Sequence, residues 1–261
     1  MGLIGGGEKN VYSVNESNRK AVSMKLCMLA AGLGLADSFL TLDAGTITLN
    51  ASDLGWYDNA GAHISTNKNY IAGDDGLGAE YRDYFVFDLS GLSGSIISAQ
   101  LSLYNPCATC LAHAVNGYDS VNPSETYQVT NVTTPVAALE ANSAGGATAI
   151  FADLGTNTVY GSQVVSASDD GQQVVITLDA SAIAALNAAT GLFAFGGEIV
   201  GLPSSPSGAP ERAMFINTNL TMPPDVTELI LTTGVSEPAS WMLTSAGCLV
   251  FSTMCICVRR R

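Results

Sequence analysis

Glu80-Tyr81-Arg82-Asp83-Tyr84-Phe85-Val86-Phe87-Asp88-Leu89-Ser90-Gly91-Leu92, followed after a short gap by Ile97-Ser98-Ala99-Gln100-Leu101-Ser102-Leu103-Tyr104, decides the fold class of this chain. The first run is aromatic and β-branched and ends on a Ser-Gly turn signal. In a strand, side chains alternate between faces, so Phe85, Phe87 and Leu89 share one face and Tyr84, Val86 and Asp88 the other. The phenylalanine face is the core face. Arg82 then points with Tyr84, and beside Glu80 and Asp83 it reads as half of a structural ion pair; the competing reading is a clamp for a carboxylate or a sugar. The second run alternates Ile97, Ala99, Leu101 and Leu103 against smaller or polar neighbours, a strand with one face in and one out.

The same pattern spreads outward in both directions. Short β-rich runs occur at residues 46–50, 126–132, 147–151, 158–165, 174–178, 191–196, 213–217 and 226–232, separated by Gly, Asn, Asp, Pro and Ser. About ten strands with turn signals between them predict a sandwich or barrel. One segment breaks the pattern. Residues 180–189 are rich in the best helix formers and follow Asp179, a suitable N-cap, so a single short crossover helix is expected there. The fold expected is an all-β, jelly-roll-like sandwich over residues 37–234, with that one helix and no internal repeat.

The two ends read differently from the body. Residues 241–258, opening on Trp241 and ending on Val258, carry no charged side chain, and Arg259, Arg260 and Arg261 follow. That length just reaches the roughly 18 to 20 apolar residues needed to span a bilayer, and the arginines place the end on the cytoplasmic side. Ser236, Glu237 and Pro238 precede the span. Near the other end, Lys25 leads an apolar run over residues 26–36 that reads as a signal peptide, with Met24 as the expected true start and the upstream residues as an extension of the reading frame or a long n-region. Residues 1–36 and 235–261 are therefore set apart from the folded body.

The polar motif, apolar span and arginine cluster, in that order, resemble the PEP-CTERM sorting signal of exported bacterial proteins, here with serine in place of the first proline. The resemblance covers about the last tenth of the chain. It implies export, a membrane intermediate held by the tail, and recognition by an exosortase, a membrane-embedded cysteine transpeptidase or protease that removes the tail. A plain C-terminal anchor that is never cut is the alternative. Inside the body, the "Arg-x-Tyr-Phe-x-Phe-Asp-Leu-Ser" run followed by "Ser-Ala-x-Leu-x-Leu-Tyr" resembles jelly-roll, carbohydrate-binding-like modules of surface proteins, in which the first run is a central strand. That resemblance speaks to fold; function lives in sites rather than folds.

Charge narrows the partners. The whole chain has a formal net charge of −13. Between residues 37 and 234 the basic residues are Lys68, Arg82 and Arg212, against twenty acidic ones, so the body carries about −17. A field of that sign repels phosphate backbones and excludes nucleic acid as the expected partner, while leaving divalent cations open. Four of the six cysteines, Cys27, Cys248, Cys255 and Cys257, fall in the terminal segments. Cys107 and Cys110 remain, as Pro-Cys-Ala-Thr-Cys in a loop: a small disulfide, a pair of free thiols, or half a metal site with His113.

Candidate binding residues lie upstream of the central strand. Trp56 and Tyr57 are the one adjacent aromatic pairing outside the tail that suits a sugar platform. Asp74, Asp75 and Glu80 could supply oxygen ligands to a structural calcium, although the spacing is not that of an EF-hand. The competing reading makes the Asp and Gly residues turn formers and Trp56 a core residue. Catalysis finds little footing: His63 and His113 are the two histidines, no Gly-x-Ser-x-Gly occurs, and Glu198 with Glu211 is an unremarkable carboxylate pair. The expected function is that of a non-enzymatic surface or extracellular-matrix protein in an exopolysaccharide setting. A carbohydrate-binding module is the alternative, and a secreted polysaccharide hydrolase a third reading.

Overall fold

Glu80–Asp88 is a central strand (β5), with both of its faces buried over Asp83–Phe87. The computed structural model describes residues 45–107, 117–202, 208–214 and 227–234, all of which belong to one unit of the chain, Asp43–Arg261. Within them the chain is an all-β sandwich in which every strand pairing is antiparallel. The smaller sheet has the order β1 (Gly45–Asn50), β14 (Thr227–Gly234), β6 (Ser95–Asn105), β11 (Gln172–Thr177). The larger runs β10 (Val159–Val165), β8 (Glu125–Asn131), β12 (Leu192–Val200), β5, β4 (Ala72–Asp74), β13 (Glu211–Ala213), β7 (Asp119–Ser120), with β2 (Asp53–Asp58) also on β5. A two-stranded patch joins β3 (Ala62–His63) to β9 (Ser143–Ala144).

Tyr81 pairs with Asp58 on one side and Gly73 on the other, so β4 takes over the β12 side of β5 near its beginning. Between the sheets, Phe85, Phe87 and Phe195 from the larger sheet meet Leu101, Leu103, Ile176, Leu229 and Leu231 from the smaller, all fully buried. The phenylalanine rings meet edge to face, Phe87 on Phe195 at 5.9 Å, a geometry the ring quadrupoles favour.

The alternation within β6 is interrupted. Its register against β14 shifts between Thr232 and Thr233, which pair with Ser98 and Ile96 and leave Ile97 unopposed. An extra residue in one strand reverses which side chains face inward. Ile96 therefore enters the core at 4 % exposure, and Ile97, expected inside, stands 55 % exposed.

The segment expected to be helical is α3 (Ala180–Ala188), and Asp179 caps it by accepting from the Ala182 amide at 2.9 Å. It connects the two sheets, burying Ala182 and Leu186 in the inter-sheet core. It is not the single helix. Two short helical segments, α1 (Val136–Leu139) and α2 (Thr148–Asp153), cover the outer face of the larger sheet, and α2 occupies a stretch expected to be a strand. Under them Tyr57, Tyr84, Val86, Leu139, Leu154 and Ala194 form a second core. Asp153 ties this layer together by accepting from Thr133 and Thr134, through both backbone amides and hydroxyls, and from Asn157. Burial works against ionisation of Asp153, but these hydrogen bonds outweigh it and hold its carboxyl below the ordinary range.

β5 and β6, consecutive in sequence, lie in different sheets. Among the described residues no helix is long and apolar enough to cross a membrane. Trp241, Val258 and the Arg259–261 cluster, like Ser236, Glu237, Pro238 and the expected signal peptide, lie outside those residues.

Candidate functional site

On the outer face of the larger sheet, beyond the second core, β5 presents Arg82 and β12 presents Glu198. The Arg82 Nη2 lies 3.0 Å from Glu198 Oε2 and 3.3 Å from Glu80 Oε1. Its Nη1 donates to the carbonyls of Phe151 and Ala152, each at 3.3 Å, and the guanidinium sits 4.5 Å from the Phe151 ring centroid. The guanidinium thus packs against the C-terminal end of α2, in a stretch expected to be a strand. A cation is favourable beside the last carbonyls of a helix, and here it adds to the bonds that the Ala152 carbonyl already accepts from the Gly155 and Thr156 amides.

Glu198 also accepts from Gln128 Nε2 at 3.2 Å. Burial raises its affinity for a proton, Arg82 opposes this, and Glu80 adds to it. These groups and residues 199–202 line a shallow polar cleft of about 290 Å³. With one guanidinium and two carboxylates, the cleft has an excess of hydrogen-bond acceptors. Its chemistry suits ligands rich in hydroxyl donors.

The ion pair expected of Arg82 thus exists, with two carboxylate partners. Glu80 is one, but Asp83 is on the opposite face, since neighbouring residues in a strand point oppositely. Asp83 is fully buried between the sheets, where Oδ1 accepts from the Tyr127 hydroxyl at 2.7 Å and Oδ2 has no hydrogen-bond partner. Burial raises its pKa to about 7, with the Tyr127 bond pulling the other way. The alternation in β5 placed Asp83 with Phe85, yet no local signal announced Tyr127, forty-four residues away.

Trp56 and Tyr57 do not form a platform, because as neighbours in β2 they project from opposite faces. Tyr57 is fully buried in the second core, stacked on His63 at 4.7 Å with its hydroxyl donating to the Leu139 carbonyl at 2.9 Å. Trp56 is half-buried, with its indole N–H on Asn69 Oδ1 at 2.8 Å and its ring against the edge of Tyr81. His63 is likewise a core residue. The Trp56 carbonyl can only accept, so His63 Nδ1 carries the proton and Nε2 faces the Tyr84 hydroxyl as acceptor. Burial lowers its pKa, an effect Lys68 adds to and the Trp56 hydrogen bond opposes.

Asp74, Asp75 and Glu80 are each engaged elsewhere. Asp74 Oδ1 accepts from the Gly76 amide at 2.6 Å, and Asp75 Oδ1 from the amides of Leu77 and Ala79. Both close the turn that leads into β5, while Glu80 faces Arg82. Among the described residues no group of three or more His, Cys, Asp or Glu is placed to hold a metal ion. Glu198 and Glu211 fall in separate clusters. Burial raises the Glu211 pKa, and Glu125 and Asp74 raise it further. Cys107 is disulfide-bonded; Cys110, its expected partner, and His113 lie outside the described residues.

The architecture and this cleft define a β-sandwich module with a small acidic surface site. Comparison with protein-family models and with curated proteins gives no match to this chain.

Proposed function

We propose that this chain is a non-enzymatic exported protein of the cell surface or extracellular matrix, with a jelly-roll-like body delivered by its C-terminal sorting signal and serving a structural or adhesive role among exopolysaccharides. The observation that carries the reading is the engagement of its chemically capable groups in holding the sandwich together. Tyr57 and His63 fill a core, Asp74 and Asp75 close a turn, and Arg82 binds two carboxylates and the end of a helix. A scaffold is what such an allocation makes. The Ser236-Glu237-Pro238 motif, the apolar span and Arg259–261 support export and handling by an exosortase-type transpeptidase, and the passage of the chain back and forth between antiparallel sheets supports the jelly roll.

Expression in cells that carry an exosortase-type enzyme tests this. The expected product is outside the cytoplasm and lighter than the full chain by the mass of its tail, whereas replacing Arg259, Arg260 and Arg261 by serine leaves the tail uncut. Retention of the full chain in the cytoplasm would sink the proposal.

A second reading, a carbohydrate-binding module, is favoured by the polar cleft beside Glu80, Arg82 and Glu198. Affinity electrophoresis in gels containing neutral or acidic polysaccharides addresses it. Retardation that disappears in Glu80→Gln, with circular dichroism unchanged, supports this reading, and equal mobility with and without polysaccharide removes it.

A further inference from the structure

An exposed strand edge offers unpaired N–H and C=O groups to any second strand, and proteins protect such edges with charge, short length, bulges or cover. Four of the five outer edges of the two large sheets carry such protection. β7 is two residues long and holds Asp119 against Arg212. β10 has a register shift between Val159 and Gly161. β11 has β10 beside it, with Gly161 packed on the Thr177 carbonyl and the Asp179 amide donating to the Tyr160 carbonyl at 2.7 Å. The free side of β2 meets His63 on the Trp56 carbonyl, the Ala62 amide on Asp58, and the Lys68–Asp53 pair.

β1 carries none of these. Gly45-Thr-Ile-Thr-Leu-Asn50 contains no charged residue and no proline, and it pairs with β14 in unbroken register from Gly45 opposite Thr233 to Asn50 opposite Glu228. Among the described residues no strand lies along its other edge. Thr46, Thr48 and Asn50 are exposed, and Ile47 and Leu49 reach inward to the rim of the core but remain only half-buried.

The sequence of β1 is also complementary to itself. Residues directly opposite in an antiparallel pair project from the same face. If two copies of β1 meet with Thr48 opposite Thr48, then Ile47 lies opposite Leu49 on the core side, twice, and Thr46 lies opposite Asn50 on the outer side. That register matches the two half-buried apolar residues with each other and brings no charges face to face. We propose that β1 is a homodimerisation edge, through which two copies pair antiparallel about Thr48 and join their four-stranded sheets into one of eight strands. The contact is isologous, so it closes on a dimer rather than growing. It stands independently of the functional reading above.

Sedimentation equilibrium of the full chain in mild detergent, at tens of micromolar, tests it. The expected result is a reversible monomer–dimer equilibrium that tightens with added NaCl, because both partners are strongly acidic. Thr48→Lys places two ammonium groups opposite each other at the two-fold axis while altering only an exposed side chain. It should raise the dissociation constant at least about tenfold, with circular dichroism unchanged and melting unchanged in samples dilute enough to be monomeric. Oxidised Thr48→Cys should give a peptide spanning residues 45–50 cross-linked to itself by mass spectrometry. Three results overturn the proposal: a monomeric full chain, a dimer indifferent to Thr48→Lys and so held by another surface, or hydrogen-exchange protection of both β1 edges in the monomer, which would mean that another part of the chain already covers this strand.

Discussion

A carboxyl in an apolar core keeps its proton where a solvated one would lose it. Asp83 is such a group, buried with one oxygen on Tyr127 and the other without a hydrogen-bond partner. Its pKa is about 7 in the folded chain against an ordinary 3.8, so the folded state binds the proton more tightly than the unfolded one. The stability this protects is fully present below about pH 4 and is lost as pH rises to about 7, on the order of 4 kcal/mol in all. Asp83→Asn keeps an acceptor for Tyr127 and cannot ionise. Its urea midpoint relative to wild type should therefore climb between about pH 4 and pH 7 and level off above, and a difference independent of pH would show that Asp83 does not titrate in this range. Arg82 is the opposite case, a cation whose partners depend on it. Arg82→Ala leaves Glu198, with 13 % of its side chain exposed, close to Glu80 without a counter-charge and removes two hydrogen bonds from the end of α2. A loss of about 3 kcal/mol in urea unfolding is expected. Arg82→Lys should recover only part of it, since an ammonium cannot span both carboxylates and both carbonyls.

At the scale of elements, legibility followed the range of the interactions that shape each one. Alternation within a strand is local, so β1, β5, β8, β10, β11, β12 and β14 could be read from their own residues, and α3 from its alanines and Asp179. β2 could not, because Asp53, Gly55 and Asp58 resemble a loop, and only the partner strand β5 makes them extended. Residues 148–153 were misread as well, and the Arg82 that packs on their helical end is distant in sequence. The bulge at Ile97 is set jointly by two strands far apart in sequence. Gly196 and Gly197 show such coupling on one strand. A Cβ on Gly196 would collide with the backbone of Leu154 in the outer layer, and one on Gly197 with the Tyr127 hydroxyl and Asp83 carboxylate within the sandwich. Gly196→Ala should therefore cost about 1 to 3 kcal/mol and raise hydrogen exchange in Thr148–Asp153, because backbone rather than a mobile side chain must move. Asp179→Ala should cost about 1 kcal/mol, the loss of one cap from a helix whose alanines still favour it.

Over the whole molecule, repulsion outweighs pairing. The three cations of the body are all engaged, Lys68 with Asp53, Arg82 with Glu80 and Glu198, and Arg212 with Asp119. Among the described residues most carboxylates consequently have no cationic partner. The charge count was legible in sequence, but its distribution was not, because apart from Arg82–Glu80 the pairs that absorb the cations join residues from fifteen to well over a hundred positions apart, as Arg82 and Glu198 do. Folding concentrates the unpaired charges within a smaller volume than the unfolded chain occupies, so their repulsion opposes the native state. Salt screens exposed charges over roughly 10 Å at 0.1 M, whereas the partly buried Arg82 cluster is screened much less. Raising NaCl from about 10 mM to about 150 mM should then weaken repulsion more than attraction and increase the melting temperature by about 2 to 4 °C, corresponding to roughly 1 kcal/mol in a chain of this size. Dilute Thr48→Lys protein is the sample of choice, because association through β1 would also tighten with salt and raise the melting temperature by mass action. A melting temperature that falls with NaCl would mean that the few ion pairs contribute more to stability than the unpaired carboxylates take away.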